Sequence, residues 1–96
     1  MREKLRVVDN ETESRYELLD GERIIGFAEY KLTPERILFT YIDINPDIQG
    51  RGLGGRLTEA ALQDCRARGL KVAARCPFIV DYLKEHSEYD DIAVPS

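Results

Sequence analysis

Along the first half of the chain, apolar residues recur at every second position in short runs separated by polar turns, the spacing of half-buried β-strands. Residues 4–8 predict a first strand, closed by the polar stretch DNETE, and residues 14–19 a second. Asp20-Gly21 supplies a turn in which glycine accepts the positive φ of a tight hairpin. In residues 23–32, Ile24, Gly26, Ala28, Tyr30 and Leu32 fall on one face. Ile25 and Phe27 occupy the other before Glu29 and Lys31 take over. Thr33-Pro34-Glu35 is the next turn. Residues 36–44, RILFTYIDI, are apolar on both faces, as expected of a central strand covered on both sides.

The period then changes. Leu53, Leu57, Ala61 and Cys65 recur every fourth residue and predict one face of a helix, with the polar Asp64 beside the stripe. Arg66, Arg68 and Gly69 form a C-terminal stop. Residues 70–74 predict a short strand, and Cys76-Pro77 opens a second helix through Phe78, Val80, Tyr82 and Leu83, with proline at its first position. The tail, SEYDDIAVPS, is acidic and expected to be loose at its end. Four strands in hairpin succession followed by helix, strand and helix imply a mixed, mostly antiparallel sheet of about five strands. The last strand joins in parallel through a right-handed crossover, giving an α+β fold.

Composition narrows the class. The 96 residues suit one domain spanning 1–96, and 43% hydrophobic with 33% charged residues favours folding over disorder. A net charge of −4 without a basic stripe argues against nucleic acid and anionic membranes as partners. No run approaches a membrane span, and no apolar signal core follows the first basic residues, so a cytoplasmic protein is expected. Cys65 and Cys76 are then reduced thiols. With the single histidine, His86, they form no metal-ligand pattern. Oligomeric state is not specified.

The stretch NPDIQGRGLGGRL joins the two halves and holds four glycines in six positions, Gly50 to Gly55. A glycine loop before a helix is a natural anion site: amides without intrahelical acceptors meet the positive end of the helix dipole. A nucleotide-triphosphate loop would end Gly-Lys-Ser/Thr, but Arg56 follows Gly55. Gly50, Gly52 and Gly55 match G-x-G-x-x-G. Yet Arg75 stands where a dinucleotide site wants its acidic ribose ligand, and too little chain remains for that fold. The third pattern, Q/R-x-x-G-x-G/A, is filled by Gln49, Gly52 and Gly54.

With that loop the sequence resembles the GNAT superfamily of N-acetyltransferases, and within it a small single-domain subfamily. The matching stretches, in order, are TYIDINPDIQGRGLGG, RCPF and EYDDI. Tyr41 stands where that subfamily often has histidine, Gly55 adds a glycine, and the N-terminal helices of larger members have no counterpart. The resemblance implies acetyl-CoA as co-substrate and an amine of unidentified class as acceptor. It implies that Gln49, Gly50, Arg51, Gly52, Leu53, Gly54 and Gly55 cradle the pyrophosphate. Tyr41, Ile42, Asp43 and Ile44 would face the pantetheine, and Tyr89 would line the site.

Cys76 precedes a helix and follows Arg75, two features that favour a thiolate. In a fold of this kind it would lie near the acetyl group. Two routes follow: acetyl transfer through a Cys76 thioester, or direct attack by the amine with a base removing its proton. Cys76 could equally be a small core residue. Cys65, on the helix stripe, reads as core, His86 as a helix-end cap, and Glu29 and Lys31 as a solvated strand face. Asp43 could orient an amine, act as a base, or be a solvated carboxylate. A CoA-binding module without turnover is the alternative from another class. A protein-binding adaptor has only the acidic charge behind it.

Overall fold

The strands pair in the order in which they occur. A computed structural model describes residues 4–48 and 52–96. In it, β1 (Leu5–Asn10), β2 (Arg15–Asp20), β3 (Arg23–Leu32) and β4 (Arg36–Ile44) form an antiparallel meander. Helix α1 (Leu53–Ala67) then crosses over to β5 (Lys71–Ala74), which pairs with β4 in parallel, and α2 (Pro77–Glu85) follows. The five-stranded sheet has order β1-β2-β3-β4-β5. This is the expected mixed α+β architecture.

Both helices contribute to one buried cluster. The α1 stripe delivers Leu53, Leu57, Ala61 and Cys65, joined by Leu62. They meet Tyr16 and Leu18 of β2, Ala28 and Tyr30 of β3, and Ile37 and Phe39 of β4. Helix α2 adds Ile79 to the same cluster. Full burial of each large aliphatic here is worth about 1.5–3 kcal/mol. The expectation that β4 is covered on both sides is therefore not met: the helices share one face. On the other face Tyr41 is 50% exposed.

Two bulges explain where strict alternation misleads. Leu18 pairs with Gly26 and Leu19 with Ile24, so Ile25 is an extra residue on β3. Such an insertion turns the strand and reverses the facing of what precedes it. Ile25 is buried, while Ile24, expected on the same face as Ala28 and Tyr30, is 45% exposed. The second bulge lies in β4 at Thr40 and shapes the site described below.

The C-terminal end of α1 is tied down by a polar cluster. The Tyr16 hydroxyl donates to Asp64 at 2.6 Å and that of Tyr30 to Asp9 at 2.5 Å. Arg68 donates to Asp9, Tyr16 and Asp64 at 2.8, 3.1 and 3.2 Å. Asp64, off-pattern on the stripe, is thus the acceptor for a buried phenol. Burial, then the hydrogen bond to Asp64, pushes the Tyr16 phenol well above its ordinary range. Burial and Asp9 do the same to Tyr30. Burial raises the Cys65 thiol to about 11, as befits an inert core residue. Gly69, with φ 72°, ends the helix region as predicted.

The tail departs from expectation. A 3₁₀ turn at Ser87–Tyr89 leads to a parallel bridge between Ala93 and Val72. The Val72 amide donates to the Ile92 carbonyl, and the Val94 amide to the Val72 carbonyl, both at 2.8 Å. Ile92 is buried. An apolar residue and a strand edge anchor what net charge alone would leave solvated.

Candidate active site

The site arises from a mismatch in strand length. β5 pairs with β4 only from Arg36 to Phe39, and the last rung is the Arg75 amide donating to the Phe39 carbonyl at 2.9 Å. β4 runs on to Ile44. Just past this last rung, Phe39 pairs with Tyr30 and Tyr41 with Glu29, leaving Thr40 as the extra residue. Its hydroxyl donates to the Glu29 carbonyl at 3.4 Å. The bulge decides which side chains face the helices. Ile37 and Phe39 point inward before it, Ile42 and Ile44 after it. Tyr41 and Asp43 are turned to the exposed side, where the Tyr41 ring lies 6.1 Å from that of Phe27.

The space past the end of β5 is a cleft of about 470 Å³. Ile42, Asp43 and Ile44 line it from β4, Gly52, Leu53, Gly54 and Gly55 from the start of α1, and Phe78 from α2. The walls are largely apolar; Asp43 is the one ionisable residue among those described, and its side chain belongs to the exposed face of β4. One end is a helix N-terminus whose cap residue, Gly52, is left-handed at φ 68°, ψ 23°. The cap residue offers no side chain to this end, and among the described residues its first turn carries no acidic residue. The amides there have no intrahelical acceptors, and the dipole adds positive potential. An elongated ligand with an anionic group at one end and a less polar arm fits such a cleft.

Seven residues anticipated from the sequence are brought together here: Ile42, Asp43, Ile44, Gly52, Leu53, Gly54 and Gly55. Gln49, Gly50 and Arg51 lie outside the described residues. The other three stand elsewhere. Tyr41 packs on Phe27, as above. Tyr89 is buried against α1, accepting a hydrogen bond from Gln63 Nε2 at 3.0 Å beneath the Arg66 guanidinium, 5.0 Å from the ring centroid. Cys76 is the N-cap of α2; it is buried in the core cluster, with its carbonyl accepting from the Val80 amide at 2.9 Å. None of the three is among the residues that line the cleft.

Phe78 was not anticipated as a site residue. The sequence placed it only on the second helix; it is 45% exposed, and Ile79 takes the core position. The available signal was its place one residue past a helix-opening proline, at the same end of the parallel pair as the glycine loop. His86 behaves as the expected cap: its Nδ1 lies 2.7 Å from the Tyr82 carbonyl, and its ring stacks on that of Tyr82 at 3.8 Å. Burial pushes the Tyr82 phenol up to about 12. Among the described residues no group of side chains could hold a metal ion, and no helix is long and apolar enough to cross a membrane.

Comparison with known proteins agrees with this geometry. Residues 15–92 match the model of a family described as GCN5-related N-acetyl-transferase. No curated protein matches the chain. Among solved structures, a GCN5-like putative N-acetyltransferase from Staphylococcus aureus superposes with a TM-score of 0.72 at 20% identity, covering 97% of this chain and 91% of that one. A ribosomal-protein-alanine N-acetyltransferase from Brucella melitensis biovar Abortus 2308 gives 0.58 at 17%, covering 85% and 64%. Ard1 from Thermoplasma volcanium gives 0.53 at 21%, covering 64% and 43%. At these identities the structural likeness is one of fold.

Proposed function

Given that the chain belongs to the family of GCN5-related N-acetyltransferases, we propose that it moves the acetyl group of acetyl-CoA onto an amine by direct attack. Acetyl-CoA is the co-substrate of that family. The observation that carries the reading is the cleft in which the free-running end of β4 faces the glycine start of α1. In this reading the amides of residues 52–55, with the preceding loop residues Gln49, Gly50 and Arg51, hold the pyrophosphate. The pantetheine arm runs along Ile42–Ile44 with Phe78 opposite. The thioester points to where β4 and β5 part, at Phe39 and Arg75. On the motif RCPF we place the chain with the small single-domain members.

The chemistry asks for a neutral amine. Its nitrogen attacks the thioester carbonyl carbon, the C–S bond breaks, and CoA leaves as a thiolate. The proton lost by the amine goes to a base, and the thiolate is protonated from solvent. Asp43 is the one ionisable residue among the described cleft residues; its side chain lies on the exposed face of β4 beside Tyr41, where it is our candidate for holding an ammonium that arrives from that face. A relay through Cys76 is the less favoured route, because that side chain is buried in the core cluster. Both cysteines are buried and unpaired, in keeping with a reducing compartment.

Incubation with acetyl-CoA and a panel of amines, read by intact mass and thiol release, tests the reading. Acetylated amine and free CoA are expected, with Cys76→Ala retaining turnover. A stable acetyl adduct on Cys76, lost on adding amine, would replace direct attack by the relay. Binding of CoA without turnover on any amine would leave a CoA-binding module. Unperturbed amides in residues 52–55 at millimolar CoA would remove the assignment of the cleft.

A further inference from the structure

The glycines at the start of α1 differ in what demands them. Gly52 has a positive φ, 68°, and a Cβ added there would meet nothing within 4 Å, so conformation explains it. Gly54 lies inside the helix and is not among the positive-φ glycines. Conformation therefore does not require it, and glycine in a helix costs roughly 0.5–1 kcal/mol relative to alanine. What stands against it is Phe78. A Cβ on Gly54 would lie 3.0 Å from Phe78 Cζ and 3.4 and 3.5 Å from the two Cε atoms. At Gly55 the nearest atom would be Tyr82 Cε2 at 3.9 Å, an ordinary contact.

We propose that Phe78 positions the less polar arm of the CoA ligand and that Gly54 is glycine in order to seat the Phe78 ring. The inference rests on the assignment of the cleft to CoA. The far end of the ring, Cζ and both Cε atoms, crowds the space a β-carbon on Gly54 would take. It is 45% exposed, so it can give way, and its open side is the cleft it shares with Ile42 and Ile44. A side chain at Gly54 requires the ring to yield by a few tenths of an ångström, and in this proposal it yields toward the cleft between α2 and β4. Gly54 thus acts on the ligand through Phe78 rather than through the phosphates. A motif that elsewhere accepts Gly or Ala at this position is restricted to Gly here by a residue on a different helix.

A double-mutant cycle read with two ligands tests this. Isothermal titration of the purified chain would use CoA and 3′-phospho-ADP, which lacks the pantetheine arm. Gly54→Ala is expected to weaken CoA about fivefold, about 1 kcal/mol, while 3′-phospho-ADP changes less than about twofold. Its urea midpoint stays the same or rises. Phe78→Ala should show the same ligand split. Adding Gly54→Ala to Phe78→Ala should cost nothing further, a non-additivity expected of residues in contact. Equal losses on both ligands for Gly54→Ala, additive losses in the double variant, or unchanged CoA binding in Gly54→Ala would each overturn the inference while leaving the cleft assigned. Failure of the unaltered chain to bind either ligand would overturn the cleft assignment and this inference together.

Discussion

The two ends of α1 use the same kinds of groups in opposite ways. At the C-terminal end, two phenols, two carboxylates and a guanidinium are matched to one another across β1, β2, β3 and the helix. At the N-terminal end the cap residue, Gly52, offers no side chain, and among the described residues the first turn runs through Gly54 and Gly55 beside a cleft. Polar groups satisfied within the fold hold it together; polar groups left pointing outward are available to a ligand. One helix is thus anchored at one end and, in the function proposed above, binds its ligand at the other. The difference teaches that stability and binding should separate along its length.

The sharpest break in the comparison is Tyr16→Phe at the anchored end. It leaves Asp64 and Arg68 with an empty position and should lower unfolding free energy by about 1–3 kcal/mol. CoA affinity should stay within about twofold, checked by urea denaturation beside titration. Next, Gly52→Ala forces a β-carbon into a left-handed position at a cost of about 1–2 kcal/mol. The strain should appear as CoA affinity weakened by about tenfold, with a smaller change in urea midpoint.

A pH series sharpens the contrast further. The Tyr16 and Tyr30 phenols titrate above their ordinary value of 10.0 in the folded chain. The unfolded chain therefore gives up these protons first as pH rises. Their contribution is complete below pH 10.0 and declines above it. Unfolding free energy should fall with rising pH in that range, and Tyr16→Phe should make the fall shallower. The smallest effect belongs to Gly55→Ala. Its added carbon makes an ordinary contact with Tyr82, so the unfolding midpoint should rise by the equivalent of roughly 0.5–1 kcal/mol.

Much of this was legible in the sequence because it depends on period. The four-residue recurrence of Leu53, Leu57, Ala61 and Cys65 does not depend on what the helix packs against, and it located α1 and its buried face. Residues 52–55 and the end of β4, singled out in the sequence for chemistry carried by backbone, do line one cleft. The failures have one physical origin: insertions that break a period leave no mark in residue type. Ile25 and Thr40 look like ordinary strand residues, yet each shifts the ladder by one. That exposes Ile24 and lets Ile42 and Ile44 face the helices. Phe78 and Tyr89 show the converse. Both are aromatic residues in helical turns, and only tertiary packing decides that the first lines the cleft while the second is buried under Arg66.

The short bridge between the tail and β5 also reaches the cleft. Val72 gives its amide and carbonyl to Ile92 and Val94, while β4 holds the other edge of the same four-residue strand. A strand this short would fray if held on one side alone. Clamped on both, it should behave as a fixed hinge plate, with the Val72 amide among the slowest to exchange with deuterium. If CoA enters between β4 and β5 as proposed, the fork is set before it arrives, and little of the binding energy goes into opening it.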